Sequence, residues 1–303
     1  LKRTLALLAL ATMTCTAMAQ TRTGPYLGEK TPGLEPVLFA PGFISTATEE
    51  LNSVFSPDGK EFFFARATAP EGSKDPDFQM YSIRLGPAGW GQPVLFPANG
   101  PSFDMDMEYS NDGNRLYWVG MQPVDGKMPA GMRMYYSDRK GDSWGPAQLG
   151  PAAVNTLDMV LYPAITADNA MHFPARAADS LGGTDIYRSE FRNGEYQKPV
   201  NIGAPVNTKD GESDLVVAKD GSFMILSSRR EGGQGEGDLY ISFRQPDGRW
   251  CELANMGAGI NSDKSEYCPK LSHDGKYLFF TSQRSGKGDI YWVDARVIER
   301  FRS

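Results

Sequence analysis

LSHDGKYLFFTSQRSGKGDIYWV, residues 271–293, is the last of five versions of one phrase, and the fold follows from why it repeats. It sets Asp274-Gly275 between two apolar runs. Asp-Gly in that position is a strong hairpin signal, because a type I′ turn requires φ > 0 at its central residues. The turn recurs at Asp58 in SPDGKEFFF, Asp112 in SNDGNRLYW, Asp168 in TADNAMHFP and Asp220 in AKDGSFMIL. Successive turn aspartates are 54, 56, 52 and 54 residues apart. Asn169 replaces glycine in the third copy and tolerates the same backbone region. Each copy therefore holds a hairpin, with strand A before the turn and strand B after it.

Working outward, a third strand, C, follows each B strand: FQMYSI, MRMYYS, TDIYRS, GDLYIS and GDIYWV. A fourth, D, follows a turn ending in Trp or Tyr in GWGQPVLF, SWGPAQLG, EYQKPVNIG and RWCELANMG. Four short strands in about 50 residues is the size of a propeller blade. The B strands are apolar on both faces, as in Phe62-Phe63-Phe64, which suits a strand sandwiched between neighbouring blades. The last copy has no fourth strand, but EPVLF at residues 35–39 matches QPVLF at residues 92–96. The expected fold is thus an all-β, five-bladed β-propeller of four-stranded antiparallel blades, closed by an N-terminal strand that completes the last blade. Pairing the ends in this way removes the exposed edges of an open sheet. The expected organisation is a signal peptide over 1–19, an extension over 20–34, the propeller over 35–294 and a tail over 295–303.

The phrase S-x-DG-K-x-L-x-F-x-S-x-R…G…DIY resembles the WD40-like β-propeller repeat of TolB-like periplasmic proteins. GPYLGEKTPGLEPVLFAPGFIS, near the N-terminus, also resembles exported members of that group, and the likeness runs over residues 24–293. It implies a periplasmic interaction module. TolB itself carries an additional N-terminal domain and six blades, neither of which is read here. The likeness specifies fold more than activity, since propellers host binding, scaffolding and several enzyme classes.

The N-terminal LKRTLALLALATMTCTAMAQ has a basic start at Lys2 and Arg3, a short apolar run and an Ala17-Met18-Ala19 cleavage site. It reads as a secretory signal rather than a membrane span, so the expected location is periplasmic or secreted. Losing Lys2 and Arg3 with it takes the formal charge from -6 to -8. That balance argues against a nucleic-acid partner. Cys251 and Cys268 fall on an outer and an inner strand and are expected as free thiols.

Strand A lies innermost in a blade, so its start rings one mouth of the channel. Eight residues before each turn aspartate stand Glu50, Asp104, Val160, Glu212 and Glu266, with Asp158 two residues before the valine. Arg66, Arg176, Arg229 and Arg284 stand near the B-strand ends, and Gly120 in the second blade. Antiparallel pairing brings the start of A beside the end of B. These acids and arginines, with Asp106, Glu108 and Asp214, are the ligand-binding candidates; equally, the mouth acids and arginines read as carboxylate–guanidinium pairs that hold each hairpin. Asp104, Asp106 and Glu108 alternate and would share one strand face, where a hard cation such as Ca²⁺ could sit.

Catalytic patterns are scarce. The two histidines are His172, read as a packed strand residue, and His273 in a turn. GDSWG at residues 141–145 matches G-x-S-x-G in letters, but it falls in the turn between strands C and D with no helix pattern after it. It therefore does not read as a nucleophile elbow, and clustered zinc ligands are absent from the sequence. The expected function is a non-enzymatic exported module binding a protein, peptide or glycan partner at the polar mouth. The alternative is a carbohydrate-active enzyme, a glycoside hydrolase or lyase, using the mouth carboxylates.

Overall fold

The structure, a computed structural model, describes residues 21–68, 77–97, 103–121 and 131–302. The signal-peptide reading, over 1–19, lies outside those residues. Five antiparallel sheets form a five-bladed propeller, each built from strands A to D in chain order, A innermost. Blade 1 comprises Glu50–Phe55, Glu61–Thr68, Asp77–Gly86 and Val94–Leu95. Blade 2 comprises Asp104–Tyr109, Arg115–Gly120, Arg133–Lys140 and Gln148–Leu149. Blade 3 comprises Ala164–Ile165, Met171–Ala175, Asp185–Ser189 and Val200–Asn201. Blade 4 comprises Glu212–Val217, Phe223–Ser228, Asp238–Phe243 and Ala254–Asn255.

Blade 5 takes Glu266–Leu271, Tyr277–Ser282 and Asp289–Asp294 from the C-terminal end and Val37–Leu38 from the N-terminal end. Val37 pairs with Trp292 and Leu38 with Tyr291, antiparallel, so the ring closes as the EPVLF/QPVLF match implied. Residues before this strand also pack on the ring. The Tyr26 hydroxyl donates to Asp274 Oδ1 at 2.7 Å, and Trp90 Nε1 donates to the Gly24 carbonyl at 2.7 Å. At the other end Ala295–Phe301 forms a 3₁₀-helix that buries Val297 and Ile298 against blades 4 and 5.

The B strands carry the core because each is clasped on both faces. Phe62 and Phe64 meet Phe39, Phe279 and Trp292 between blades 1 and 5. Phe63, pointing the other way, meets Phe96 and Trp118 of blades 1 and 2. Every one of these rings is at most 1% exposed, and full burial of such a side chain is worth about 1.5–3 kcal/mol.

One expected strand is stunted. The A strand of blade 3 keeps only Ala164 and Ile165, although Leu161 N still donates to the Pro174 carbonyl at 2.9 Å. Pro163 before it and Pro174 opposite it lack the N–H that a ladder needs. Cys251 and Cys268 are free thiols, the latter buried. Among the described residues no helix is long and apolar enough to cross a membrane.

Candidate functional site: a funnel on the hairpin-turn face

The site is built from what the A strands do at the axis. Six residues before each turn aspartate stand Asn52, Asp106, Tyr162, Asp214 and Cys268. All five have left-handed backbones, with φ of 56°, 62°, 26°, 28° and 52°. In the four full-length A strands the ladder shifts register at that residue, a β-bulge. A bulge bends the strand and re-aims a side chain, here toward the axis. Non-glycine residues seldom hold such angles, and this ring holds them through hydrogen bonds between blades.

Asp106 N donates to Asn52 Oδ1 at 3.1 Å, Tyr162 N to Asp106 Oδ2 at 3.2 Å, and Cys268 N to Asp214 Oδ2 at 3.2 Å. Asn52 Nδ2 donates to Asp106 Oδ1 at 3.0 Å and to Cys268 Sγ at 3.1 Å. The Tyr162 hydroxyl crosses to the Pro269 carbonyl at 3.1 Å. The five residues form a stopper across the channel. Burial first, and the neighbouring Asp214 second, push the Asp106 carboxyl up to about 7. Burial likewise raises Asp214 and pushes the Cys268 thiol well up.

Two residues nearer the turns, the axial positions are Val54, Glu108, Ala164, Val216 and Lys270. Lys270 of blade 5 reaches across the channel to Glu108 of blade 2, Nζ to Oε2 at 2.7 Å, and lies 4.6 Å from the centre of the Tyr162 ring. Lys219 of blade 4 approaches the same carboxylate at 3.5 Å and also donates to the Ile165 carbonyl at 2.8 Å. Above this floor a funnel of about 650 Å³ opens on the hairpin-turn face. Its walls include Val54, Phe55, Ile165, Val216 and Phe223, and His273 stands at its rim. One carboxylate between two ammonium groups leaves the floor with one net positive charge. The Lys219 side chain keeps 54% of its surface exposed and Lys270 only 5%.

The Ser272-His273-Asp274 run at the rim is not a catalytic set. Ser272 Oγ donates to Asp274 Oδ1 at 2.8 Å, and Ser56–Asp58, Ser110–Asp112 and Thr166–Asp168 repeat this bond in three other blades. It is a turn device. A wider groove of about 980 Å³ lies between blades 2 and 3. Its one guanidinium, Arg115, is held by both oxygens of Asp138 and stacked 4.0 Å from the Tyr136 ring centre.

Of the candidate acids and arginines, Asp106 and Asp214 lie in the stopper and Glu108 on the funnel floor, while the others lie on the opposite face from the funnel. Glu50, Glu212 and Glu266 have no exposed surface. Glu50 accepts from Thr46 N at 3.0 Å, Thr46 Oγ1 at 2.5 Å and Arg66 Nε at 2.9 Å. Glu212 accepts from Thr208 N at 2.9 Å and Thr208 Oγ1 at 2.6 Å, and Glu266 from Ser262 N and Ser262 Oγ, both at 2.7 Å. Each glutamate therefore fastens the loop that leads into its own blade. Arg284 meets Glu266 at 3.5 Å, but the partner of Glu212 is Arg230, at 2.9 Å, and not Arg229, which is exposed. Glu212 and Glu266 face Ser228 and Ser282 in the ladder, and the arginine reaches back from two residues further on. Asp158 and Arg176 pair through their backbones, with both side chains at the surface.

The shared face expected for Asp104, Asp106 and Glu108 does not exist, because the bulge at Asp106 breaks the alternation. Asp104 accepts from Trp118 Nε1 at 3.1 Å, Asp106 lies in the stopper, and Glu108 stands on the funnel floor. Gly120 opposite Asp104 is dictated by space, since a Cβ there would lie 2.1 Å from Asp104 Oδ1. Among the described residues no three His, Cys, Asp or Glu side chains are grouped to hold a metal ion. Sequence reasoning missed Lys219 and Lys270. For Lys270 the signal was a charge at an axial position that is apolar in three of the five copies; Lys219, in the turn beside Asp220, carries no such signal.

A provisionally assigned TolB from Agrobacterium tumefaciens superposes with a TM-score of 0.50 at 17% identity, over 78% of this chain and 71% of that one. A protein of unknown function from Dyadobacter fermentans gives 0.51 at 14%, over 88% and 83%. An α-L-arabinofuranosidase from Podospora anserina, solved with cellotriose, gives 0.50 at 10%, over 86% and 97%. The likeness is one of fold. What these structures share with the chain is the β-propeller architecture, and no family model and no curated protein matches its sequence.

Proposed function

We propose that this protein is an exported, non-catalytic binding module that receives an acidic group of a partner peptide or protein in the funnel on its hairpin-turn face. The observation that carries this reading is the floor, where Glu108 is shared by Lys270 and Lys219 beneath apolar walls. Lysine is a compact charge on a flexible stem, and the exposed Lys219 can turn from Glu108 to an incoming carboxylate without leaving Glu108 unpaired. Apolar walls with a few convergent polar groups are the usual make-up of a binding cleft. The stopper closes the channel beneath the floor, so the partner enters and leaves by one face.

The alternative of a carbohydrate-active enzyme asks for two carboxyls about 5–10 Å apart and free to act. The acids lining the funnel are Glu108, Asp220 and Asp274, and each is engaged: Glu108 by the two lysines, Asp220 by Ser222 N at 3.0 Å, and Asp274 by Tyr26 and Ser272. The buried acid pushed up to about 7, Asp106, is only 2% exposed.

The test is a peptide array in which each sequence is present with a free and with an amidated C-terminus. Bound peptides are expected to present a free terminus or an Asp or Glu side chain. Lys219→Glu is expected to weaken them by about tenfold or more, the size of one charged hydrogen bond plus repulsion. Binding indifferent to peptide charge, or unchanged in Lys219→Glu, would remove the reading.

A further inference from the structure

A second site lies away from the axis. We propose that the cleft between blades 3 and 4 binds a phosphate or sulfate group, its oxygens held by Arg188 and Arg244 above His172. The cleft encloses about 230 Å³ and is lined by Thr166, His172, Arg188, Val217, Arg244 and Trp250, among others. Arg188, Arg244 and Trp250 also border an outer cavity of about 560 Å³. A ligand with an anionic head and a larger body would find room for both.

Three observations converge on an anion. His172 and Arg188 are directly opposed on neighbouring strands of blade 3, so their side chains stand on one face. His172 is 4% exposed, it lines the cleft, and its Nδ1 has no hydrogen-bond partner. A buried polar atom left unpaired is costly, and a ligand oxygen at Nδ1–H would satisfy it. Arg244 donates through Nε to the Gly248 carbonyl at 3.0 Å and rests 5.9 Å from the Trp250 ring centre. Among the described residues it has no acidic partner. Its planar fork is suited to a tetrahedral oxyanion.

The other charges at the cleft are accounted for. Arg188 is shared with Asp168 at 3.2 Å and Glu190 at 2.8 Å. Asp168 and Asp220 are tied to their own turns, and the Lys219 ammonium is directed to the funnel. Without a ligand, burial and then Arg188 hold the imidazole of His172 down at about 3, with Asp168 opposing and Arg244 adding to the effect. An anion bridging the two guanidiniums would offset their charge and make His172 easier to protonate.

The sequence contains two histidines, His172 and His273, so histidine C2–H resonances in a proton NMR spectrum report on this site directly. His273→Gln assigns them. Sodium phosphate is expected to move the His172 signal saturably and to leave His273 in place. Sodium chloride at matched ionic strength is expected to move neither. Arg244→Met, a change at the surface, is expected to raise the half-saturating concentration by about tenfold or more. Phenyl phosphate and phenyl sulfate distinguish the sources: tighter binding than the inorganic ions identifies an ester whose body uses the outer cavity, and equal binding identifies the free anion. A His172 signal unmoved by phosphate, moved equally by chloride, or moved equally in Arg244→Met would overturn the proposal.

Discussion

Glu266 shows how a residue that reads as a ligand-seeking acid becomes part of the frame. It has no exposed surface, and it accepts from Ser262 N, Ser262 Oγ, Ser282 Oγ at 2.5 Å and Arg284. An amide of the same shape would turn one acceptor into a donor facing donors. Glu266→Gln is therefore expected to cost about 1–3 kcal/mol, seen as a lower urea midpoint with an unchanged slope. Peptide-array binding should stay as it was. Unaltered stability combined with lost binding would return Glu266 to the functional candidates. Arg229 stands beside the true partner of Glu212: Ser228-Arg229-Arg230 aligns with Ser282-Gln283-Arg284. The ladder confirms that alignment, so Arg230 was within reach of the repeat, whereas proximity to the strand end favoured its neighbour.

The A strands are the elements in which sequence reading succeeded and then failed. Their existence, order and direction were legible, because Asp-Gly turns between apolar runs fix a hairpin. Their faces were not, because period-2 alternation assumes an uninterrupted pleat and each full A strand is bent at its centre. Asn52, Asp106 and Asp214 are residues that tolerate left-handed backbone, and they recur six places before the turn; Tyr162 and Cys268 at the same place carry no such signal. The stopper they form has a pH signature. Burial and the neighbouring Asp214 hold the Asp106 carboxyl up at about 7 in the folded state, against about 3.9 in the unfolded chain. Between those values the folded state keeps a proton that the unfolded state has released, so stability falls as pH rises through that window and levels off above it. Asp106→Asn lacks this term and should gain on the wild type by up to about 1.4 kcal/mol per pH unit across the window. Urea titrations of both proteins from about pH 4 to about pH 7 check this; parallel curves would contradict it. Asp274 and Glu61, held below their usual range, act at lower pH. The raised Asp214 and Glu212 carboxyls and the lowered His172 imidazole are present in both proteins, so the difference between the two curves reports Asp106 together with its coupling to Asp214.

For the molecule as a whole, the closed ring was the most legible property, since the missing last strand and the matching N-terminal segment are both present in the sequence. What it could not convey is how much rests on one ring of atoms. Phe39, fully buried, meets Phe55 and Phe62 of blade 1 and Phe279 and Trp292 of blade 5, with centroids 5.1–6.3 Å away. Phe39→Ala is expected to cost about 3–5 kcal/mol, measured by urea unfolding, and a loss below about 1 kcal/mol would show that the latch does not hold the ring.

The plugged axis has a consequence for how such a molecule can be used. On the proposed reading, a guest arriving from the side of the hairpin turns would go no deeper than Lys270 and would depart by its route of arrival. The reverse side is insulated from that traffic, so it is free to be redecorated or tethered without disturbing occupancy. A wheel sealed at its hub works as a two-sided platform rather than a conduit.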